Sequence, residues 1–217
     1  MVSLILVTPT YKNPKRIFFI STCINMFKNV PDVTWVLCED GDSIDEEVDT
    51  LLSESKIPYK YLSFGPTNDK GNEQRNFCYE YIVSAGLKGI VYNADDDNEY
   101  DIRLFDEIKK TKNLSIFPVG NLGPNGIERP ILKNGKILYW DAYWKCRRFP
   151  LDMAAFAFNS EYLYTKKQKN HKLWDHKGIG GETEFIGYIT NNYDDLEFLC
   201  NGCTVCYVKH NELHKLC

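Results

Sequence analysis

Apolar runs of strand length alternate with longer amphipathic segments through the first half of the chain. "SLILVTPT" (3–10), "VTWVLCED" (33–40), "KYLSFG" (60–65), "KGIVYNAD" (88–95) and "LSIFPVG" (114–120) are rich in β-branched and aromatic residues and end in Gly, Pro or Asp, which predicts strands. Between them, segments at roughly 14–28, 43–54, 72–85 and 101–110 read as helices, the third with Phe77, Cys78, Tyr81, Ile82 and Ala85 on one face. This alternation predicts an α/β fold with a mostly parallel central sheet flanked by helices.

The second half is less regular. "ERPILKNGKILYW" is two short apolar runs about Lys-Asn-Gly-Lys, a hairpin signal. "RRFPLDMAAFAF" follows, then the glycine-rich "HKGIGGETEFIGYI", in which a helix is expected from Glu182 with Phe185, Ile186 and Ile189 buried. No repeat or low-complexity tract interrupts the chain.

Length and charge narrow the function. At 217 residues and 43% hydrophobic, the chain suits one domain of ordinary size. A net charge of -4 argues against nucleic acid or an anionic membrane as the main partner, since both need a basic footprint. No apolar run approaches the roughly 20 residues of a membrane span, and "MVSLILVTPTY" lacks the charged start of a signal peptide. The expectation is a soluble, cytoplasmic protein. The eight cysteines lack the spacing of a disulfide scaffold and read mostly as reduced thiols. Cys200, Cys203 and Cys206 are spaced like metal ligands, with His210 or His214 able to complete a set. No second CxxC is present, however, and the other reading is small buried thiols entering a strand "TVCYV".

Ligands of open α/β sheets bind beyond the carboxyl ends of the strands. The chain puts Thr10 and Tyr11, Glu39 and Asp40, and Asp95, Asp96 and Asp97 there. Three adjacent carboxylates repel unless a cation joins them, and Mn²⁺ or Mg²⁺ takes one or two carboxylates with water and substrate phosphates. Lys70 and Arg75 flank a helix start, a natural anion site. Glu182 opens a helix beside a buried face and is a candidate general base. Asp152, Trp144 and His210 are candidates for sugar hydroxyls, a sugar ring and a phosphate. Each has a structural alternative: a solvated acidic turn near Ile102, a polar helix start, a helix-end charge, Asp152 paired with Arg147 or Arg148, Trp144 packed on the sheet, and a surface His210.

Together "VTPTY", "CED", "GNEQRN", "VYNADDDNEYDIRLFDEI", "SIFPVG", "RRFPLDMAAFA" and "GETEFI" run in order along nearly the whole chain. They resemble the β-1,3-glucuronyltransferases, inverting enzymes of the GT-A nucleotide-sugar transferase fold. The resemblance implies a single catalytic domain, with a nucleotide-binding half at about 1–98 and an acceptor-binding half at about 99–217. Pro9, Thr10 and Tyr11 then belong to the nucleotide-sugar site, Tyr11 matching a tyrosine that stacks on uracil and Asp40 an acid that reads the uracil edge. Asp95 and Asp96 match the ribose and metal motif, with Asp97 the direct Mn²⁺ ligand. Arg75 and Lys70 match donor-site positions, and His210 a diphosphate contact. Glu182 matches the catalytic base. Glu128, Trp144, Arg147 and Asp152 match positions near the acceptor and the transferred sugar. Lys70 stands where the family carries Arg, which keeps charge without bidentate geometry. Lys209 replaces a tryptophan before His210. The family's Golgi anchor and stem are not seen before "TPTY", and the Lys, Asn, Ile and Tyr bias suits an AT-rich viral or microbial genome.

The expected reaction is metal-dependent transfer of a sugar, glucuronic acid before xylose or glucose, from a UDP-sugar to a glycan hydroxyl with inversion to a β linkage. Two rivals remain. A nucleotidyltransferase would need a glycine-rich phosphate loop after the first strand, which "TPTYKNPKR" is not. A non-catalytic carbohydrate-binding protein of the same fold would bind glycan independently of UDP and metal.

Overall fold

The structure, a computed structural model, describes residues 2–168 and 181–211. In chain order the elements are β1 (Leu4–Thr10), α1 (Arg16–Phe27), β2 (Val33–Glu39), α2 (Glu46–Glu54), β3 (Tyr59–Ser63), α3 (Asn72–Ser84), β4 (Ile90–Asn93), β5 (Glu99–Tyr100), α4 (Arg103–Ile108), β6 (Leu114–Ile116) and β7 (Val119–Gly120). Then come β8 (Ile127–Lys133), β9 (Lys136–Asp141), β10 (Phe156–Asn159), α5 (Glu161–Gln168), α6 (Gly181–Ile189), β11 (Leu196–Phe198) and β12 (Val208–Lys209). Two compact units form, Met1–Asp96 with Ser160–Gly181 and Asp97–Asn159 with Glu182–Cys217.

The first unit is built on parallel strands in the order β4, β1, β2, β3. Leu4, Leu6 and Val7 of β1 are wholly buried, as a strand with both faces covered requires. Alternation along β2 sends Trp35 to one face, where Phe27 of α1 packs edge-on at 4.9 Å, and Cys38 to the other, against Cys78 of α3. The buried side of α3 is rotated from the expected stripe: Cys78 and Ile82 are central, but Tyr79 and Val83 are buried while Phe77 and Tyr81 are half-exposed and Ala85 is exposed. Arg75 and Tyr79 turn inward to polar partners, which periodicity of apolar residues cannot register. Tyr79 donates to Asn93 Oδ1 at 2.7 Å.

In the second unit β6 lies between antiparallel β10 and parallel β11, and a second sheet runs β5, β12, β7, β8, β9. The single strand expected over "LSIFPVG" is broken at Phe117 and Pro118, because proline cannot donate to a ladder; β6 and β7 serve different sheets. The predicted hairpin is β8–β9. Asn134 and Gly135 both have positive φ, 53° and 73°, the requirement of a type I′ turn.

Of the expected strand "TVCYV" (204–208) only Val208 lies in a strand, β12. Cys200, Asn201 and Gly202 instead form a left-handed turn, with φ of 53°, 55° and 62°. Burial pushes the Cys200 and Cys203 thiols up to about 12, so they pack as small reduced side chains. Among the described residues no group of three or more His, Cys, Asp or Glu stands together as a metal cage, and His214 lies outside them. No described helix is long and apolar enough to cross a membrane.

Candidate active site

The carboxyl end of the first unit's sheet is organised by buried polar bonds. Trp35 Nε1 donates to Thr8 Oγ1 at 2.8 Å, and Thr8 Oγ1 donates to the Ala94 carbonyl at 2.5 Å. Ala94 N–H in turn donates to Val7 O at 2.8 Å, so the segment leaving β4 is stitched to β1 just before the acidic run. Thr10 Oγ1 then donates to Asp96 Oδ2 at 2.7 Å.

The first two aspartates of the run therefore have duties within the protein. Asp95 forms an ion pair with Arg75 Nη2, whose side chain is buried; Asp96 is held by Thr10 and accepts from Cys23 Sγ through its carbonyl. Sequence reasoning gave Arg75 to a phosphate, and the structure puts it on Asp95. Arg75 reaches this position through a close approach at Gly71. A Cβ there would sit 2.9 Å from Pro9 Cβ and 3.0 Å from Arg75 Nη1, and Lys70 and Gly71 both have positive φ, 62° and 84°. Lys70 is exposed at this turn, and Tyr11 is 59% exposed.

Asp40 follows β2 and is fixed twice through one oxygen. Its Oδ1 accepts from Thr67 N–H at 2.7 Å and from Gln74 Nε2 at 2.9 Å. Gly65 gives clearance, since a Cβ there would meet Asp40 Oδ1 at 2.3 Å. An open cavity of about 460 Å³ borders this loop, lined by Gly41, Asp42, Phe64, Pro66 and Thr67. Gln74 was missed as a site residue, although it stands inside "GNEQRN"; a glutamine in the first helical turn beside two recognised positions is the signal. Also missed is the buried network under Asp40. Arg16 donates to Glu39 at 2.6 Å and to Asp45 at 2.5 Å, and Tyr61 donates to the other oxygen of Glu39. Burial and that bond push the Tyr61 hydroxyl above its ordinary range.

In the second unit the residues expected near an acceptor converge. Arg147 Nη1 donates to Glu182 Oε2 at 2.9 Å, and its Nη2 donates to Leu151 O at 3.4 Å. Trp144, 40% exposed, carries the Arg147 guanidinium over its ring at 5.2 Å. Glu182 lies in the first turn of α6, where the helix end also favours a carboxylate. Thr183 ties that turn to the loop, donating to Phe149 O at 2.7 Å. Phe185 anchors it from below, packed on Phe156 and Phe158. Asp152 caps a short turn by accepting from Ala154 N–H at 2.9 Å. Glu128, on β8, is 7% exposed, and burial with the nearby Asp152 carboxylate pushes it up to about 8.

His210 follows β12, its N–H donating to Gly120 O at 3.0 Å and its carbonyl accepting from Asn121 at 2.6 Å. Asp97 opens the second unit, next to Asn98, which is 4% exposed with neither amide atom hydrogen-bonded among the described residues. One carboxylate beside an orphaned buried amide fits a hard divalent ion that completes its shell with water and substrate phosphate.

The sequence model of glycosyltransferase family 43 matches residues 23–214. A galactosylgalactosylxylosylprotein 3-beta-glucuronosyltransferase of Caenorhabditis elegans is 33% identical over 227 residues, covering 96% of this chain and 64% of the relative. A second, from Rattus norvegicus, is 30% identical over 223 residues, covering 97% and 68%. The chain thus spans about two thirds of the length of these relatives. Among solved structures, residues 1–349 of Staphylococcus aureus TarS align with a TM-score of 0.62 at 13% identity, over 95% of this chain and 60% of that one. A 4-diphosphocytidyl-2C-methyl-D-erythritol synthase aligns with a TM-score of 0.53 at 11% identity, over 86% of each. At such identities the likeness concerns fold alone, and it is the GT-A type.

Proposed function

Because the chain belongs to glycosyltransferase family 43, we propose that it transfers a sugar from a UDP-sugar to a glycan hydroxyl with inversion, giving a β linkage. Glucuronic acid is the proposed donor sugar, supported by the activity for which the relatives are named; xylose and glucose are the alternatives a donor screen would test. The observation that carries the reading is the pairing of Glu182 with Arg147 at 2.9 Å in the first turn of α6. A general base must be ionised and aimed, and a guanidinium does both.

In this reading Glu182 takes the proton of the acceptor hydroxyl as that oxygen attacks the anomeric carbon. The bond to UDP breaks on the opposite face, and no covalent enzyme intermediate forms. Trp144 offers a ring face to the acceptor sugar, with Asp152 and Glu128 as hydrogen-bonding groups. Tyr11 stacks on the uracil and Asp40, held through Oδ1, presents its other oxygen to the base edge. Lys70 and His210 serve the diphosphate, and Arg75 can exchange Asp95 for it. Mn²⁺, or Mg²⁺ in its place, held by Asp97 would neutralise charge on the leaving diphosphate.

The test is UDP release from UDP-glucuronic acid, UDP-xylose and UDP-glucose, for the wild type and Glu182→Gln. A general base contributes about 10²–10⁴-fold, so turnover should fall by that order while UDP affinity stays unchanged. Equal turnover of the two proteins would sink the reading.

A further inference from the structure

Glu128 of the second unit has two carboxyl groups and one guanidinium near it. Arg147 is bonded to Glu182, and Glu128 lies within electrostatic reach of Arg147, Glu182 and Asp152. Were Glu128 ionised, its buried charge would stand near those of Asp152 and Glu182, which is costly in a half-dry site. The bonding shows which carboxyl group is placed to keep a proton. Glu182 has Arg147, and Asp152 accepts from Ala154 N–H. Glu128 is the most deeply buried of the three. It accepts from Asp152 N–H, and its Oε1 has no hydrogen-bond partner among the described residues. Its strand neighbour Arg129 gives no help, donating instead to the Cys203 carbonyl at 3.1 Å.

We propose that Glu128 works as a neutral carboxylic acid whose proton leaves Arg147 to Glu182, so that Glu128 is a positioning residue for the base. This rests on Glu182 being that base. Burial, then the Asp152 charge, and further down Glu182, all favour the proton on Glu128, against the opposing pull of Arg147; together they bring its titration to about 8. Once ionised, Glu128 competes for the guanidinium, and Glu182 loses its fixed partner.

The experiment has two readouts on the full chain. The first is the thermal unfolding midpoint of wild type and Glu128→Gln from pH 5 to 9. The unfolded chain ionises Glu128 near its ordinary pH and the folded chain only near 8, so the wild type should lose stability relative to the variant as pH rises through that window, and no further above it. The second is the pH profile of kcat/KM with a fixed UDP-sugar and acceptor. The wild type should fall about tenfold per pH unit above that ionisation, and Glu128→Gln should lack the fall whatever its absolute rate, while Glu128→Asp restores a titrating limb. An unfolding difference that is flat with pH overturns the proposal, as does an alkaline limb that persists unmoved in Glu128→Gln. If Glu182→Gln keeps wild-type turnover, the base assignment fails and the positioning role with it; a flat unfolding difference with Glu182 essential removes the proposal alone.

Discussion

Gln74 Nε2 donates to Asp40 Oδ1 at 2.9 Å, so the first turn of α3 fixes the acid that follows β2. The same amide reaches Phe64 O at 2.9 Å and Thr67 Oγ1 at 3.1 Å, which makes it the joint between helix, strand end and loop. In Gln74→Leu, which keeps most of the volume and removes the donors, Asp40 retains only the Thr67 N–H. A buried hydrogen bond to a charged group is worth roughly 1.5–3 kcal/mol. The expected outcome is a rise of about 10–100-fold in the KM for the UDP-sugar with kcat little changed. Steady-state kinetics and UDP calorimetry measure it, and an unchanged KM would confine Gln74 to loop packing.

Arg147 lies between an aromatic ring and Glu182, and its planar fork suits both contacts. Arg147→Lys keeps the charge but cannot stack and bond at once. Turnover should drop by about 10–100-fold, and Arg147→Ala should cost more and also lower the unfolding midpoint, because Glu182 is left half-buried without its cation. Rescue of kcat to wild type by lysine would show that charge alone matters.

The alternation of strands and helices, the hairpin and most helix limits were legible in the residues because they are written in local patterns: β-branched runs, Asn-Gly, a polar helix start. The acidic run at the end of β4 was equally visible. Hidden was the division of labour within it, since Asp95 and Asp96 are claimed by Arg75 and Thr10, partners 20 and 86 positions away. The same holds for Glu128, whose proton depends on Asp152, Arg147 and Glu182 meeting in space. The rotated face of α3 has a related origin, inward polar side chains that a count of apolar residues passes over.

Chelation should stop UDP release, and Mn²⁺ should restore it. Asp97→Asn should raise the Mn²⁺ concentration for half-maximal rate by at least about tenfold, as loss of a charged ligand does. Asp95→Asn should act differently, lowering thermal stability because Arg75 loses its buried counterion. A manganese titration of the two variants separates the roles, and equal metal dependence in wild type and Asp97→Asn would remove Asp97 from the metal.

Gly71→Ala places a methyl 2.9 Å from Pro9 in a backbone with φ of 84°. Strain of this kind costs about 1–3 kcal/mol, so the melting temperature should fall by several degrees and UDP binding should weaken with it. A melt equal to wild type would mean that β1 and α3 can part without penalty.

The relay from Trp35 through Thr8 to the Ala94 carbonyl has one direction, the Thr8 hydroxyl accepting once and donating once. It begins in the dry interior and ends one residue before the acidic run. The aspartates are thus surveyed from a fixed benchmark inside the sheet, not from the exposed surface. Solvent, salt and exchange of exposed side chains can alter what the aspartates bind while leaving where their run begins untouched.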